Sequence, residues 1–227
     1  MRQLLLGVRL RTQAKFESFW PGPNAEAVAA LQTPQGPPLW LWGPSGAGKT
    51  HLLQAACASS GDAAYFPLDR TTALPPEALA GFERYPLLCI DDVDAVAGDG
   101  AWEQALFRLF NEAAELRTRL VFAARTAPRQ APWLLEDWRS RAGSCIVYQL
   151  RELDEPDRIQ ALKLRAAQRG LSLPLETAQY LLARVPRDLP TLFQILDELD
   201  EASLVAQRRL TLPFIRAALE KHAGKGP

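Results

Sequence analysis

Histidine, cysteine and net charge are all scarce in this chain of 227 residues. The two histidines, His51 and His222, have no cysteine or aspartate at ligand spacing, which argues against a histidine-centred metal or catalytic site. The three cysteines, Cys57, Cys89 and Cys145, are far apart and form no C-x-x-C pair. Cys89 and Cys145 lie in apolar runs, so buried free thiols in a reducing cytoplasm are expected. Basic and acidic residues balance at 26 each, which speaks against nucleic-acid binding through a bulk basic surface, though not through a local patch. No apolar run is long enough to cross a membrane, and the one after Met1 is too short for a secretory core. Internal repeats and low-complexity tracts are absent. What is there is length enough to bury a core, in one large domain or a medium domain plus a small one.

The most informative stretch is Gly43-Pro44-Ser45-Gly46-Ala47-Gly48-Lys49-Thr50, a complete G-x-x-x-x-G-K-[ST] phosphate loop. The glycines let successive backbone N–H groups turn inward on phosphate oxygens. Lys49 can reach the β- and γ-phosphates, and the Thr50 hydroxyl can ligate Mg²⁺. An apolar run, Leu39 to Trp42, precedes the loop, and His51 to Cys57 opens a helix after it. Strand, loop and helix N-terminus together place a phosphate at the positive end of a helix dipole.

Downstream, LLCIDDVD at 87–94 runs apolar residues into an acidic pair. Following a phosphate loop, this is a Walker B element. Asp91 would hold the Mg²⁺ shell, and Asp92 would orient an attacking water. Other strands are expected over 63–68, 118–124 and 145–148, and helices over 25–32, 75–82, 101–117 and 133–141. Trp102, Leu106, Leu109, Phe110, Ala113 and Leu116 make one stripe on the helix over 101–117. The aromatics of FESFWPGPN at 16–24, Phe19 and Trp20 among them, read as anchors of a structured turn that could wall an adenine ring. After Leu150 only helical patterns follow: one from Asp154 to about Arg169, one from Leu173-Pro174 to about Val185, one over 188–208, and a last one opened by Thr211-Leu212-Pro213.

An α/β nucleotide-binding part followed by a small helical part resembles the AAA+ superfamily. FESFWPGPN resembles the adenine element of the DnaA-type module, and LLCIDDVD its Walker B. WRSRAGSCIVYQL resembles its box VII, and VPRDLPTLFQILDEL its sensor II helix. Within that family the chain is most similar to the Hda group of regulators. SFWPG, HLLQAACA, PLDR, CIDDVD, APRQ and TLPFIRAAL all look like Hda stretches. The resemblance runs no further than the helical lid, so the DNA-binding domain of the initiator is not expected in this chain.

The resemblance implies a division into 1–15, a peptide that binds the β sliding clamp (the DNA polymerase III β subunit) through Gln3, Leu4 and Leu6; 16–150, an AAA+ α/β domain with a parallel sheet flanked by helices; and 151–227, an all-helical lid. It implies ADP or ATP with Mg²⁺ as cofactor, held by Phe19, Trp20, Gly43 to Thr50, His51 and Arg187. It implies that Arg141 reaches the nucleotide of a neighbouring DnaA and stimulates its hydrolysis, which would restrain replication initiation in the cytoplasm. DNA would be met only through the clamp. A homodimer hiding Arg141 would be an off state.

Two positions depart from the family pattern. Gly7 stands where the clamp peptide has proline, which pre-sets an extended turn. Arg125 stands where the sensor I strand ends in a polar residue that helps position water. Both favour a nucleotide-bound adaptor with weak or no ATPase of its own. The alternatives are an autonomous AAA+ ATPase or DNA-remodelling loader, and a scaffold with nucleotide as a structural cofactor only.

Overall fold

The computed structural model describes residues 14–69, 74–186, 188–206, 213 and 215–216. The described residues divide into two compact units. One holds 14–17 and Pro23–Glu152, the other Ser18–Gly22 and the residues from Leu153 onward. The short segment 18–22 thus groups with the helical unit, whereas the sequence reading counted it with the α/β part.

The first unit is built on five parallel strands: β1 (Leu39–Trp42), β2 (Ala63–Pro67), β3 (Leu87–Asp91), β4 (Arg119–Ala124) and β5 (Ile146–Gln149). Their order across the sheet is β2-β3-β4-β1-β5. The helices are α1 (Ala25–Gln32), α2 (Lys49–Ser60), α3 (Gly100–Leu116) and α4 (Glu136–Gly143). β3 and β4 are buried along their whole length, as expected of central strands covered on both faces. Trp40, Leu88, Ile90, Leu120, Phe122 and Ala124 share one face and pack with Leu106, Leu109 and Phe110 of α3 and Trp138 of α4. Residues of opposite parity, including Cys89 and Asp91, point to the other face, against which α2 lies.

The stripe foreseen on α3 is buried at Leu106, Leu109, Phe110 and Ala113, but Leu116 is 58% exposed. The helix ends there, with Arg117 at φ +60°. The helix expected over 75–82 is instead two short 3-10 turns, Pro76–Leu79 and Phe82–Arg84, separated by Gly81 at φ +94°. Arg119 is buried in β4, and its guanidinium donates to the carbonyls of Ala30, Leu31 and Thr33, which closes the C-terminus of α1. The three cysteines are buried and free, and burial pushes the Cys145 thiol up to about 12.

The second unit packs α5 (Glu155–Gln168), α6 (Leu175–Arg184) and α7 (Leu189–Ala206) around Leu162, Ala166, Ala178, Leu181, Leu196 and Ile215. Asp154 caps α5 by accepting from the N–H of Asp157 at 2.9 Å. Arg165 of α5 and Arg169, just past its end, bridge to Asp197 and Asp200 of α7 at 2.8–3.1 Å. In the same unit the indole N–H of Trp20 donates to Asp157 Oδ1 at 2.9 Å. None of the described helices is long and apolar enough to cross a membrane.

Candidate functional site

Sheet order brings the chemistry together. β1 and β3 flank β4, so the segments leaving their carboxyl ends adjoin: the phosphate loop after β1, the acidic run at the end of β3 and Arg125 after β4. This edge is where parallel α/β sheets bind ligands.

The loop starts at Gly43, whose N–H donates to Ala124 O at 3.3 Å. A Cβ at Gly43 would lie 2.4 Å from the Leu150 carbonyl oxygen, so no other residue fits between β1 and the exit of β5. Gly46 and Gly48 take φ +83° and +93°, which curl the loop back on itself. α2 then begins with no side chain capping it, unlike α3 and α5, which carry aspartate caps. A helix start that no side chain caps is the arrangement that suits phosphate. Pro44, Ser45, Gly46 and Thr50 are exposed, and Ala47 and Lys49 are buried.

Lys49 donates through Nζ to the carbonyls of Gly43 at 2.6 Å and Pro44 at 2.9 Å. Burial lowers its pKa, while Asp92, Asp91 and Asp94 pull it back up and Arg125 lowers it further. Asp91 is 1% exposed. Its Oδ1 accepts from the Asp92 N–H at 3.0 Å and its Oδ2 from the Tyr65 hydroxyl at 2.7 Å. Asp92 sits in a left-handed conformation, φ +51° and ψ +41°, uncommon for a residue with a Cβ. Burial raises its pKa, as do Asp91 and Asp94, against the opposing charges of Lys49 and Arg125. Two cations and three carboxylates therefore form one electrostatic cluster at the loop.

The donor set fits a nucleotide with Mg²⁺. Uncapped helix N–H groups and a buried ammonium face an anion, while a hydroxyl at Thr50 and a carboxylate at Asp91 suit a hard cation. Among the described residues no group of three or more His, Cys, Asp or Glu could hold a metal ion alone. Mg²⁺ bound through phosphates and one or two protein oxygens needs no such group.

Sequence reasoning singled out Gly43 to Thr50, Asp91 and Asp92, and these adjoin. It missed Tyr65, Asp94 and Glu103. Asp94 Oδ2 accepts from the N–H of Arg125 at 3.0 Å and so ties the two loops together. Asp94 was visible as the third acid of DDVD. Tyr65 gave no signal beyond its place in a short strand. Glu103 is wholly buried on α3, where it accepts from the N–H groups of Gly98, Leu134 and Leu135.

The remaining residues named from sequence lie elsewhere. His51 Nε2 is 3.0 Å from the carbonyl oxygen of Lys15, so it is used in holding the incoming chain. Phe19 and Trp20 belong to the helical unit. Arg187, Gln3, Leu4 and Leu6 lie outside the described residues. Arg141 is in the last turn of α4, just before the start of β5, whose first N–H, on Ile146, donates to Pro38 ahead of β1. It therefore lies near the amino end of β5, whereas the phosphate loop leaves the carboxyl end of the four-residue β1. The Arg141 side chain is exposed, with its guanidinium 6.0 Å from the ring centres of both Phe107 and Phe110 on α3. Arg139 is held locally by Trp133 O at 2.7 Å and Glu136 at 3.0 Å.

The fold matches domain III of the Thermotoga maritima replication initiation protein DnaA, with a TM-score of 0.76 at 22% identity, covering 94% of this chain and 98% of that one. AMPPCP-bound DnaA from Aquifex aeolicus matches at a TM-score of 0.69 and 23% identity, over 84% of this chain and 66% of that one. The Thermotoga maritima RuvB Holliday junction branch migration motor matches at 0.66 and 15%, over 91% of this chain and 73% of that one. Residues 133–219 match the family model described as Hda, lid domain. The parallel five-stranded sheet with its phosphate loop is the fold of these solved structures, and residues 133–219 of the helical part are similar to the lid domain of Hda.

Proposed function

We propose that this chain is a nucleotide-bound AAA+ adaptor that docks on the β sliding clamp and stimulates hydrolysis of ATP bound to DnaA, so restraining replication initiation. ADP or ATP would lie on Gly43 to Thr50, with Lys49 leaving its own loop carbonyls for phosphate oxygens. Thr50 and Asp91 would hold Mg²⁺, which when bound neutralises phosphate charge. Asp92 would orient a water. Arg125, which cannot accept a proton, adjoins it and makes turnover on this chain slow.

The observation that carries the reading is the position of Arg141. It is exposed, sits near the amino end of β5 and not at the carboxyl edge that carries the phosphate loop, and has no carboxylate partner among the described residues. A guanidinium so placed would serve a nucleotide brought by another molecule, where it would stabilise charge on the transferred phosphoryl group. Arginines in this role raise rates by roughly 10³–10⁵ in GTPases. Clamp docking rests on Gln3, Leu4 and Leu6 and on the likeness to Hda. The test is turnover of DnaA-bound ATP by wild type and Arg141→Ala in the presence of clamp loaded on DNA. Nucleotide affinity of the variant itself should be unchanged.

A further inference from the structure

Asp91 has both carboxylate oxygens engaged before any metal arrives, and one donor comes from the side of the sheet away from the phosphate loop. β2 is the edge strand beyond β3, while β1 lies on the opposite side, past β4. Tyr65 pairs in register with Cys89, two residues before Asp91, so the two side chains share the α2 face as diagonal neighbours. The phenol donates to Oδ2 at 2.7 Å, and the Asp92 N–H holds Oδ1 at 3.0 Å. The side chain of Gln54, on the phosphate-loop helix and 6% exposed, hydrogen-bonds the same phenol and fixes where it points. Asp91 itself is 1% exposed, so bulk water does not readily replace a lost donor.

We propose that Tyr65 is a positioning residue that holds the Asp91 carboxylate back from the metal side of the site, so that Mg²⁺ adds little to nucleotide affinity. The inference rests on Gly43 to Thr50 binding nucleotide, as proposed above. The phenol takes up negative charge on Oδ2 and draws it toward β2. An oxygen so engaged meets a cation weakly, or through water. Gln54 places this restraint under the control of the helix that begins at the phosphate loop.

Tyr65→Phe keeps the ring and removes only the donor. The measurement is ADP affinity by calorimetry, in magnesium chloride and in EDTA, for wild type and variant. The ratio of the EDTA to the magnesium dissociation constant is expected to rise about threefold to tenfold, the range of one hydrogen bond. The EDTA value should stay within about twofold, because the Tyr65 hydroxyl bonds Asp91 and Gln54, outside Gly43 to Thr50. A ratio that is unchanged or smaller overturns the proposal. Should a melting curve show Tyr65→Phe unfolded, Gln54→Leu carries the test, since loosening the phenol must raise the same ratio. ADP binding by both chains with equal ratios overturns this inference alone. No ADP binding by either overturns it together with the nucleotide reading.

Discussion

Lys49 donates to the carbonyl oxygen of Gly43 at 2.6 Å, so the ammonium proposed to bind phosphate is satisfied by the backbone of its own loop. A second carbonyl, that of Pro44, shares it at 2.9 Å. Nucleotide must draw Lys49 off these oxygens, and the gain is the difference between two charged hydrogen-bonding states. Lys49→Ala should therefore weaken ADP binding by roughly tenfold to a hundredfold, the range of one charge-assisted contact. Calorimetric titration checks this. An affinity equal to wild type would remove Lys49 from the site.

Gly43 is fixed by the Leu150 carbonyl, not by the nucleotide. Gly43→Ala puts a Cβ 2.4 Å from that oxygen, closer than real Cβ contacts, and the obstacle is backbone that cannot rotate away. We expect the α/β unit to lose about 1–3 kcal/mol of stability, the usual cost of overpacking. Chemical denaturation without nucleotide reads this. An unchanged midpoint would mean that β5 yields freely.

Asp92 is a charge that folding disfavours. Burial and the neighbouring Asp91 and Asp94 raise its pKa above the ordinary 3.8. Between the unfolded and folded pKa values the native state binds more protons, so this group's contribution to stability falls as pH rises through the folded value. Asp92→Asn removes the liability and should melt higher than wild type without nucleotide. The gap should widen as pH rises from about 4 to neutrality. Melting curves across that range decide it, and a gap that narrows would contradict the electrostatic account. A site made less stable for function is the usual exchange.

How much of this was legible in the sequence depends on the range of each interaction. The phosphate loop and the acidic pair are local patterns, and β1, β3, α2, α3 and α5 follow from short-range periodicity and caps. Tyr65 and Glu103 act through contacts set by strand order and helix packing, which no local pattern encodes. Glu103 in particular interrupts an apolar helix stripe as if it were a solvent-side residue. It is instead wholly buried, with its charge met by three backbone N–H groups. The 3-10 turns at 76–84 escaped for a related reason: Gly81 breaks the run and tertiary packing decides the rest.

That buried carboxylate makes a prediction of its own. Glu103 holds the segment that enters α4, the helix that carries Arg141. Glu103→Ala leaves these N–H groups buried without an acceptor. It should cost roughly 3 kcal/mol or more, since each lost charged hydrogen bond is worth about 1.5–3 kcal/mol. Hydrogen exchange at Leu134 and Leu135 should accelerate ahead of the rest of the unit. Exchange unchanged at those two amides would show that the segment is held by something else.

The central claim is that Arg141 acts on a nucleotide this chain does not hold. The most direct measurement is single-turnover hydrolysis of radiolabelled ATP pre-bound to DnaA, with clamp loaded on DNA and this chain present as wild type, Arg141→Ala or Arg139→Ala. The account predicts that Arg141→Ala removes the stimulation, a loss on the order of a hundredfold or more. Arg139→Ala should keep most of it, and both variants should bind ADP as wild type does. Full stimulation by Arg141→Ala, with the variant folded and ADP-bound, would contradict it.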